Sequence, residues 1–261
     1  MNPILLHTEN LSIGYPNKQG ANVIASGVSL GFMPGKLIAL IGANGIGKST
    51  LLRTLTGIQR PLNGVVSLHG KNVSDYTSAA LAQELALVLT EKLPPSNLTV
   101  FELVALGRQP YTNWLGTLTP DDLAQIDEAM LLTDTSWLAK KKHYELSDGQ
   151  LQKVLVARAL AQDTPLIVLD EPTTHLDFQH KISLFRLLRK LAHNAGKCIV
   201  FSTHDIEMAM EISDEIVLMT GEKITQATPQ ELMTSKALDG LFTDPNIRFD
   251  AEKVKFVFTD L

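Results

Sequence analysis

Short, continuously apolar runs alternate along this chain with longer stretches in which apolar positions recur every three or four residues. Leu37–Ile41, Leu166–Leu169 and Ile199–Phe201 have the length and composition of buried strands. Strand-like runs separated by helical patterns predict an α/β fold, a mixed but mainly parallel sheet flanked by helices. The beginning of the chain reads differently. Ile4–Ile13, Val28–Phe32, Leu37–Ile41 and Val65–Leu68 are strand-like with few helices between them, so some antiparallel pairing is expected on the N-terminal side.

From about Asn97 to Gln162 the pattern turns helical. Thr99-Val100-Phe101-Glu102 has capping-box spacing and opens a helix expected to stop at Gly107. Thr119-Pro120-Asp121-Asp122 sets a cap and a first-turn proline before a helix running towards Leu132. Ser147-Asp148-Gly149-Gln150 starts a third. Together these predict an α-helical subdomain, residues 90–164, inserted into a core made of residues 1–89 and 165–261. Near the end of the chain, Ile247–Phe249 and Val254–Phe258 are strand-like, with no chemistry to read from them. Lys140-Lys141-Lys142 reads as solvated surface.

Composition narrows the class without identifying it. The chain has 261 residues, 44% of them hydrophobic, enough for one large domain or a domain with a smaller lobe. No apolar run approaches the roughly 20 residues needed to cross a bilayer. The start, Met1–His7, lacks the basic region and apolar length of a secretory signal. The single cysteine, Cys198, suits a reducing compartment. A formal net charge of -5 leaves no overall basic footprint for nucleic acid. The expectation is a soluble, cytosolic, globular chain.

Gly42-Ala43-Asn44-Gly45-Ile46-Gly47-Lys48-Ser49-Thr50 matches the phosphate-binding pattern G-x-x-x-x-G-K-[ST], with an apolar strand before it and an amphipathic helix after it. Gly42, Gly45 and Gly47 let the backbone curl around Asn44 so that successive N–H groups turn inward. Lys48 brings a point charge to the outer phosphates, and Ser49 offers a hydroxyl to Mg²⁺. The following helix, starting beside Thr50, aims its positive end at the same anion. This much says nucleoside triphosphate, and kinases or GTPases would share it.

A second cluster closes the strand Leu166–Leu169: Asp170 at the tip suits Mg²⁺, and Glu171 one residue on could deprotonate an attacking water. Many buried strands end in acids where they meet solvent, so the pairing with the phosphate loop is what gives this motif weight. His204 follows the strand Ile199–Phe201. A lone histidine is more often structural, but ligands of such sheets gather at the carboxyl ends of strands.

In this order, these residues resemble the nucleotide-binding subunits of ABC transporters over nearly the whole chain. Leu146-Ser147-Asp148-Gly149-Gln150 matches the family's signature, Thr174-His175-Leu176-Asp177 its D-loop and His204 its switch histidine, while Tyr15 matches the aromatic that stacks on adenine. A serine cap followed by free helix N–H groups makes a second anion site. The resemblance implies that Ser147, Gly149 and Gln150 cover ATP held by a second copy of the chain, closed head-to-tail over two nucleotides, with Asp177 connecting the sites. It further implies two transmembrane permease subunits, an extracytoplasmic substrate-binding protein, and a peripheral location on the cytoplasmic face of the inner (cell) membrane. Leu98–Pro110 narrows the likeness to importers of ferric siderophores, haem and vitamin B12.

Two positions depart from the family. Asp148 stands where glycine is usual, and its carboxylate is expected to point away from phosphate. Thr90, with Glu91 beside it, stands near the usual glutamine that touches Mg²⁺ and water, and either could supply an oxygen. A soluble ABC-type ATPase acting on DNA or ribosomes would call for long insertions, a cysteine cluster, tandem domains or a basic surface, none of which is visible in the sequence. A phosphate-loop kinase would leave the signature and His204 unexplained.

Overall fold

Side-chain alternation on the buried strands decides the layers of the fold. The computed structural model describes residues 4–18, 20–89, 93–94, 96–174, 176–221, 223–241, 246–250 and 255–258. The N-terminal part comprises β1 (Leu6–Asn17), β2 (Gly20–Val28), β3 (Gly31–Phe32), β4 (Leu37–Gly42), α1 (Lys48–Leu55), β5 (Asn63–Leu68), β6 (Lys71–Asn72), α2 (Ser78–Glu84) and β7 (Leu85–Val88). A mainly helical stretch follows, with α3 (Val100–Ala105), α4 (Pro120–Leu132) and α5 (Asp148–Ala161). The chain then returns to β8 (Leu166–Leu169), α6 (Phe178–Ala195), β9 (Cys198–Ser202), α7 (Ile206–Ile212), β10 (Glu215–Met219), β11 (Ile224–Ala227) and α8 (Pro229–Thr234). A hairpin of β12 (Ile247–Asp250) and β13 (Lys255–Phe258) lies last among the described residues.

The central sheet has the order β11-β10-β4-β9-β8-β7 and is parallel except for the β10–β11 pair. Leu37, Ala39 and Ile41 of β4 share one apolar cluster with Phe185 and Leu188 of α6 and with Val154 and Ala157 of α5. Ile38 and Leu40, pointing the other way, join a second cluster with Leu51, Leu52 and Leu55 of α1 and with Leu11 and Ile13 of β1. The period of two thus splits the core into the two faces of one sheet. Each fully buried Leu or Ile there contributes about 1.5–3 kcal/mol. The expected antiparallel part is the second sheet, β2-β1-β5-β6, with β3 also on β1.

Capping boxes start the three helices of the middle stretch. The Thr99 amide donates to Glu102 Oε2 at 2.7 Å while the Glu102 amide donates to Thr99 Oγ1 at 3.2 Å, and the same reciprocity joins Thr119 to Asp122. Gly107, however, does not stop the first of these helices. α3 ends at Ala105 and the chain tightens into a 3₁₀ turn over Leu106–Tyr111. The glycine is there for room: a Cβ on it would lie 2.3 Å from the Arg158 carbonyl oxygen, so it lets this turn press against α5. Arg108 next to it reaches Asp122 at 2.8 Å and the Ala161 carbonyl at 2.9 Å, with its guanidinium 4.0 Å from the centre of the Tyr111 ring. One nearly buried side chain therefore pins the ends of α3, α4 and α5 together.

Candidate active site

β4, β9 and β8 lie side by side and parallel, so their carboxyl ends open on one edge of the sheet. The loop 42–50 leaves β4 at that edge, Asp170 and Glu171 leave β8, and Thr203 and His204 leave β9. A solvent-open cleft of about 400 Å³ is lined by Asn44, Gly45, Gly47, Lys48, Ser49, Thr50, Glu171 and His204. The predicted residues of the phosphate loop and of the two acidic and histidine-bearing strand ends are thus gathered at one place. Crevices outside strand carboxyl ends are where such sheets bind ligands.

Within the loop, Gly47 caps α1 at φ 112 and ψ 16, left-handed backbone that an L-side chain rarely adopts. A Cβ on it would also lie 2.4 Å from Cγ2 of Ile24, so the adjoining β1–β2 hairpin presses directly on the loop. No side chain caps α1 and no acidic residue stands in its first turn, so its leading N–H groups and dipole face the cleft. Lys48 Nζ donates to the carbonyls of Gly42 at 2.9 Å and Ala43 at 3.2 Å. Burial lowers its pKa, and the carboxylates of Glu171 and Asp170 partly offset that. Tyr15, half-exposed, meets Thr50 through their hydroxyls at 3.0 Å, which brings its ring to the rim of the loop.

Asp170 is buried and accepts from Ser202 Oγ at 2.6 Å. Glu171 has φ 50, an uncommon conformation for a residue with a side chain. Its carboxylate contacts His204 Nε2 at 2.5 Å and accepts from Thr174 Oγ1 at 3.3 Å. The set of a hydroxyl (Ser49) and one carboxylate (Asp170) beside a phosphate cradle suits Mg²⁺, which keeps several waters and takes its remaining oxygens from phosphates. Among the described residues no cluster of three or more His, Cys, Asp or Glu forms a self-contained metal cage. Sequence reading gives Ser202 no role in the site, and Thr174 enters it only as the first residue of the D-loop match. The signal was faint: a hydroxyl closing an apolar strand just before Thr203-His204.

The signature residues stand apart. Ser147 caps α5, accepting from the Gln150 amide at 3.3 Å while Gln150 Oε1 accepts from the Ser147 amide at 3.2 Å. Ser147, Asp148, Gly149 and Gln150 line a separate cavity of about 580 Å³ together with Trp137, Lys153, Asp177 and His180. Asp148 contributes to that lining. Asp177 caps α6, accepting from the His180 amide at 2.9 Å, and its pKa is lowered by that bond and by the His180 ring 2.7 Å away. This cavity and the phosphate-loop cleft share no lining residue. Thr90, Glu91 and His175 lie outside the described residues.

A phosphate-cradling loop feeding a helix, with an acid-tipped strand two places away in a parallel sheet, defines a P-loop nucleoside triphosphatase. Comparison with known proteins makes the class specific. The ABC transporter family matches residues 25–174. An uncharacterized ABC transporter ATP-binding protein of Methanocaldococcus jannaschii is 42% identical over 246 residues, spanning 94% of this chain and 83% of the relative. The iron(3+)-hydroxamate import ATP-binding protein of Bacillus subtilis is 38% identical over 250 residues, 95% of this chain and 90% of its own. Among solved structures, the inward-facing conformation of a protein described as a metal-chelate type ABC transporter superposes with a TM-score of 0.80 at 28% identity, covering 98% of this chain and 96% of that one. The dimeric post-hydrolysis structure of an ATP-binding cassette bound to ADP and inorganic phosphate aligns with a TM-score of 0.76 at 26% identity, covering 86% and 99%. The chain belongs to the ABC transporter family, as one of its ATP-hydrolysing cassettes.

Proposed function

We propose that this chain powers the import of a metal chelate, such as a ferric siderophore, haem or vitamin B12, through a membrane permease. The separation of the two clefts carries the mechanistic part of the reading. The phosphate loop and the signature turn line separate cavities with no residue in common, which fits two anion sites that serve nucleotides on different chains. Two copies closed head-to-tail would bring Ser147, Gly149 and Gln150 of one over the nucleotide on the other. The relative named for iron(3+)-hydroxamate import and the metal-chelate type structure support the cargo class.

In this reading the loop Gly42–Thr50 cradles the phosphates through its backbone, Lys48 exchanges its loop carbonyls for the outer phosphates, and Tyr15 stacks on adenine. Ser49 and Asp170 would hold Mg²⁺, which would supply charge neutralisation at the phosphates. Glu171 takes a proton from the water whose oxygen attacks the γ-phosphorus, the bond to ADP breaks, and inorganic phosphate leaves. His204, already against the Glu171 carboxylate, orients that group, and Asp177 links the two sites across the dimer. Thr90 and Glu91 occupy the stretch that would sense the permease. Residues 90–164 act as the helical subdomain, and residues 1–89 and 165–261 as the core. Among the described residues no helix is long and apolar enough to cross a membrane. Docking on two permease subunits, served by an extracytoplasmic binding protein, would hold the chain at the cytoplasmic face.

Replacing Glu171 with Gln tests the chemistry. ATP binding is expected to persist while turnover falls by at least about 100-fold, the scale of a lost general base, and ATP should then hold a dimer visible by gel filtration. Near-normal turnover would remove Glu171 from that role.

A further inference from the structure

We propose that Ser202 is a positioning residue for hydrolysis, its single hydroxyl fixing Asp170 and Glu171 relative to one another. The reading rests on the roles given above to those two acids. Ser202 ends β9, is fully buried, and lies one strand across from them. Its Oγ donates to Asp170 Oδ1 at 2.6 Å and accepts from the Glu171 amide at 2.8 Å. A hydroxyl has one proton to give and two lone pairs. Here the proton goes to the acid on the metal side, and a lone pair takes the backbone of the acid on the water side.

The second bond has a particular value at this position. Glu171 sits at φ 50, and a non-glycine residue persists there only when its surroundings over-determine it. The Ser202 bond is one such constraint, and it acts on the backbone. Thr174 and His204 act instead on the side chain. The carboxylate lines the solvent-open cleft and has lone pairs left for water beside these contacts, whereas the Ser202 hydroxyl that holds its backbone is buried away from the cleft. The hydroxyl therefore keeps the base aimed while its side chain meets water, and it holds the rotamer of Asp170 at the same time. Alanine at 202 would keep the strand and its shape yet leave both acids without this common reference.

The test compares Ser202→Ala with wild type in the full-length protein. Steady-state ATPase rates are expected to fall about 10–100-fold in kcat, the usual loss when a partner of a metal-binding or reacting group is removed, with KM for ATP little changed. The Mg²⁺ concentration giving half-maximal rate should rise. Without turnover, the tightening of a fluorescent ATP analogue by Mg²⁺ should shrink, while binding of the analogue in EDTA stays as in wild type. A lower melting temperature with kcat, Mg²⁺ dependence and analogue binding unchanged would make Ser202 a mere tie between β8 and β9 and overturn the proposal. Glu171→Gln, run in parallel, separates the two readings. If that variant turns over normally, the assignment of the base fails. If it stalls while Ser202→Ala does not, only the role of Ser202 fails.

Discussion

The chain presents two helix N-termini that its sequence marks as anion sites, and they are built in opposite ways. α1 begins at an uncapped left-handed glycine with no acid in its first turn. α5 begins at a complete Ser147–Gln150 capping box with Asp148 in its first turn. Orphan N–H groups must find partners. At α5 part of that demand is met by the protein itself, so the helix is stable without a ligand. At α1 no side chain meets that demand, and Lys48, itself a donor, bonds the carbonyls of Gly42 and Ala43 instead. The supports differ too. The phosphate loop hangs from β4, every residue of which is buried, and is pressed by Ile24. The signature hangs from a helical stretch pinned by the buried ion pair Arg108–Asp122. In the proposed reading, primary nucleotide affinity belongs to the α1 end, and the α5 end is an adjunct on a separately stabilised support.

Breaking the α1 end should have the largest effect. Gly47→Ala meets both the left-handed backbone and Ile24, a combined strain of roughly 2–6 kcal/mol. The loop can relax only by leaving its phosphate-cradling shape, so ATP affinity should drop by roughly 100-fold or more, about 1.4 kcal/mol for each factor of ten. Isothermal titration with ATP checks this. Adding Ile24→Ala relieves the collision but not the φ, and full recovery would show that crowding alone demands glycine.

Next in size is the pin beneath the signature. Arg108→Ala leaves the Asp122 carboxylate buried without its cation, a loss of about 3–5 kcal/mol for a broken buried pair. Thermal unfolding should shift strongly, while ATP binding at 25 °C, where the protein is still folded, stays near wild type. The pair also sets an acid limit. Bonds from the Thr119 backbone amide, the Thr119 hydroxyl and Arg108 hold the Asp122 carboxyl down at about 2, against an ordinary value of 3.8. A depressed carboxylate stabilises fully above its unfolded pKa and loses that contribution as pH falls through the folded one. Helical-stretch unfolding should thus gain on acidification between about pH 4 and pH 2, and Asp122→Asn should flatten that part of the pH–stability curve.

Local patterns were legible in the sequence, and contacts across strands were not. The phosphate loop, the acidic end of β8 and the capping boxes at Thr99 and Ser147 each lie within a few consecutive residues, so spacing alone locates them. Gly107 read as a helix stop because a glycine after an apolar stretch usually is one. Its actual reason, the Arg158 carbonyl on another helix, leaves no local trace. The pressure of Ile24 on Gly47 is hidden in the same way. Ser202 matters through Asp170 and Glu171, and no spacing rule connects residues 202 and 170 before β8 and β9 are known to be neighbours. The antiparallel N-terminal sheet was legible in the runs that became β1, β3 and β5, but Leu37–Ile41, read alongside them, pairs parallel in the central sheet, with α1 between it and β5.

The smallest effects should come from the α5 end. Ser147→Ala removes one cap, about 1 kcal/mol, and should leave ATP binding to the phosphate loop intact, because the two cavities share no residue. Asp148→Gly is gentler still. It gives up a favourable first-turn charge, under about 1 kcal/mol for an exposed site, and should lower the melting temperature slightly. Its value lies in nucleotide binding measured under conditions that favour dimers. Asp148 lines the signature cavity, so a carboxylate turned inward would repel a phosphate brought there by a second chain. Unchanged ATP affinity in Asp148→Gly would mean that the side chain stays clear and that the backbone N–H groups of α5 do the binding. A clear gain, by contrast, would make Asp148 a built-in weakening of the second anion site, and the two helix ends would then differ in charge as well as in capping.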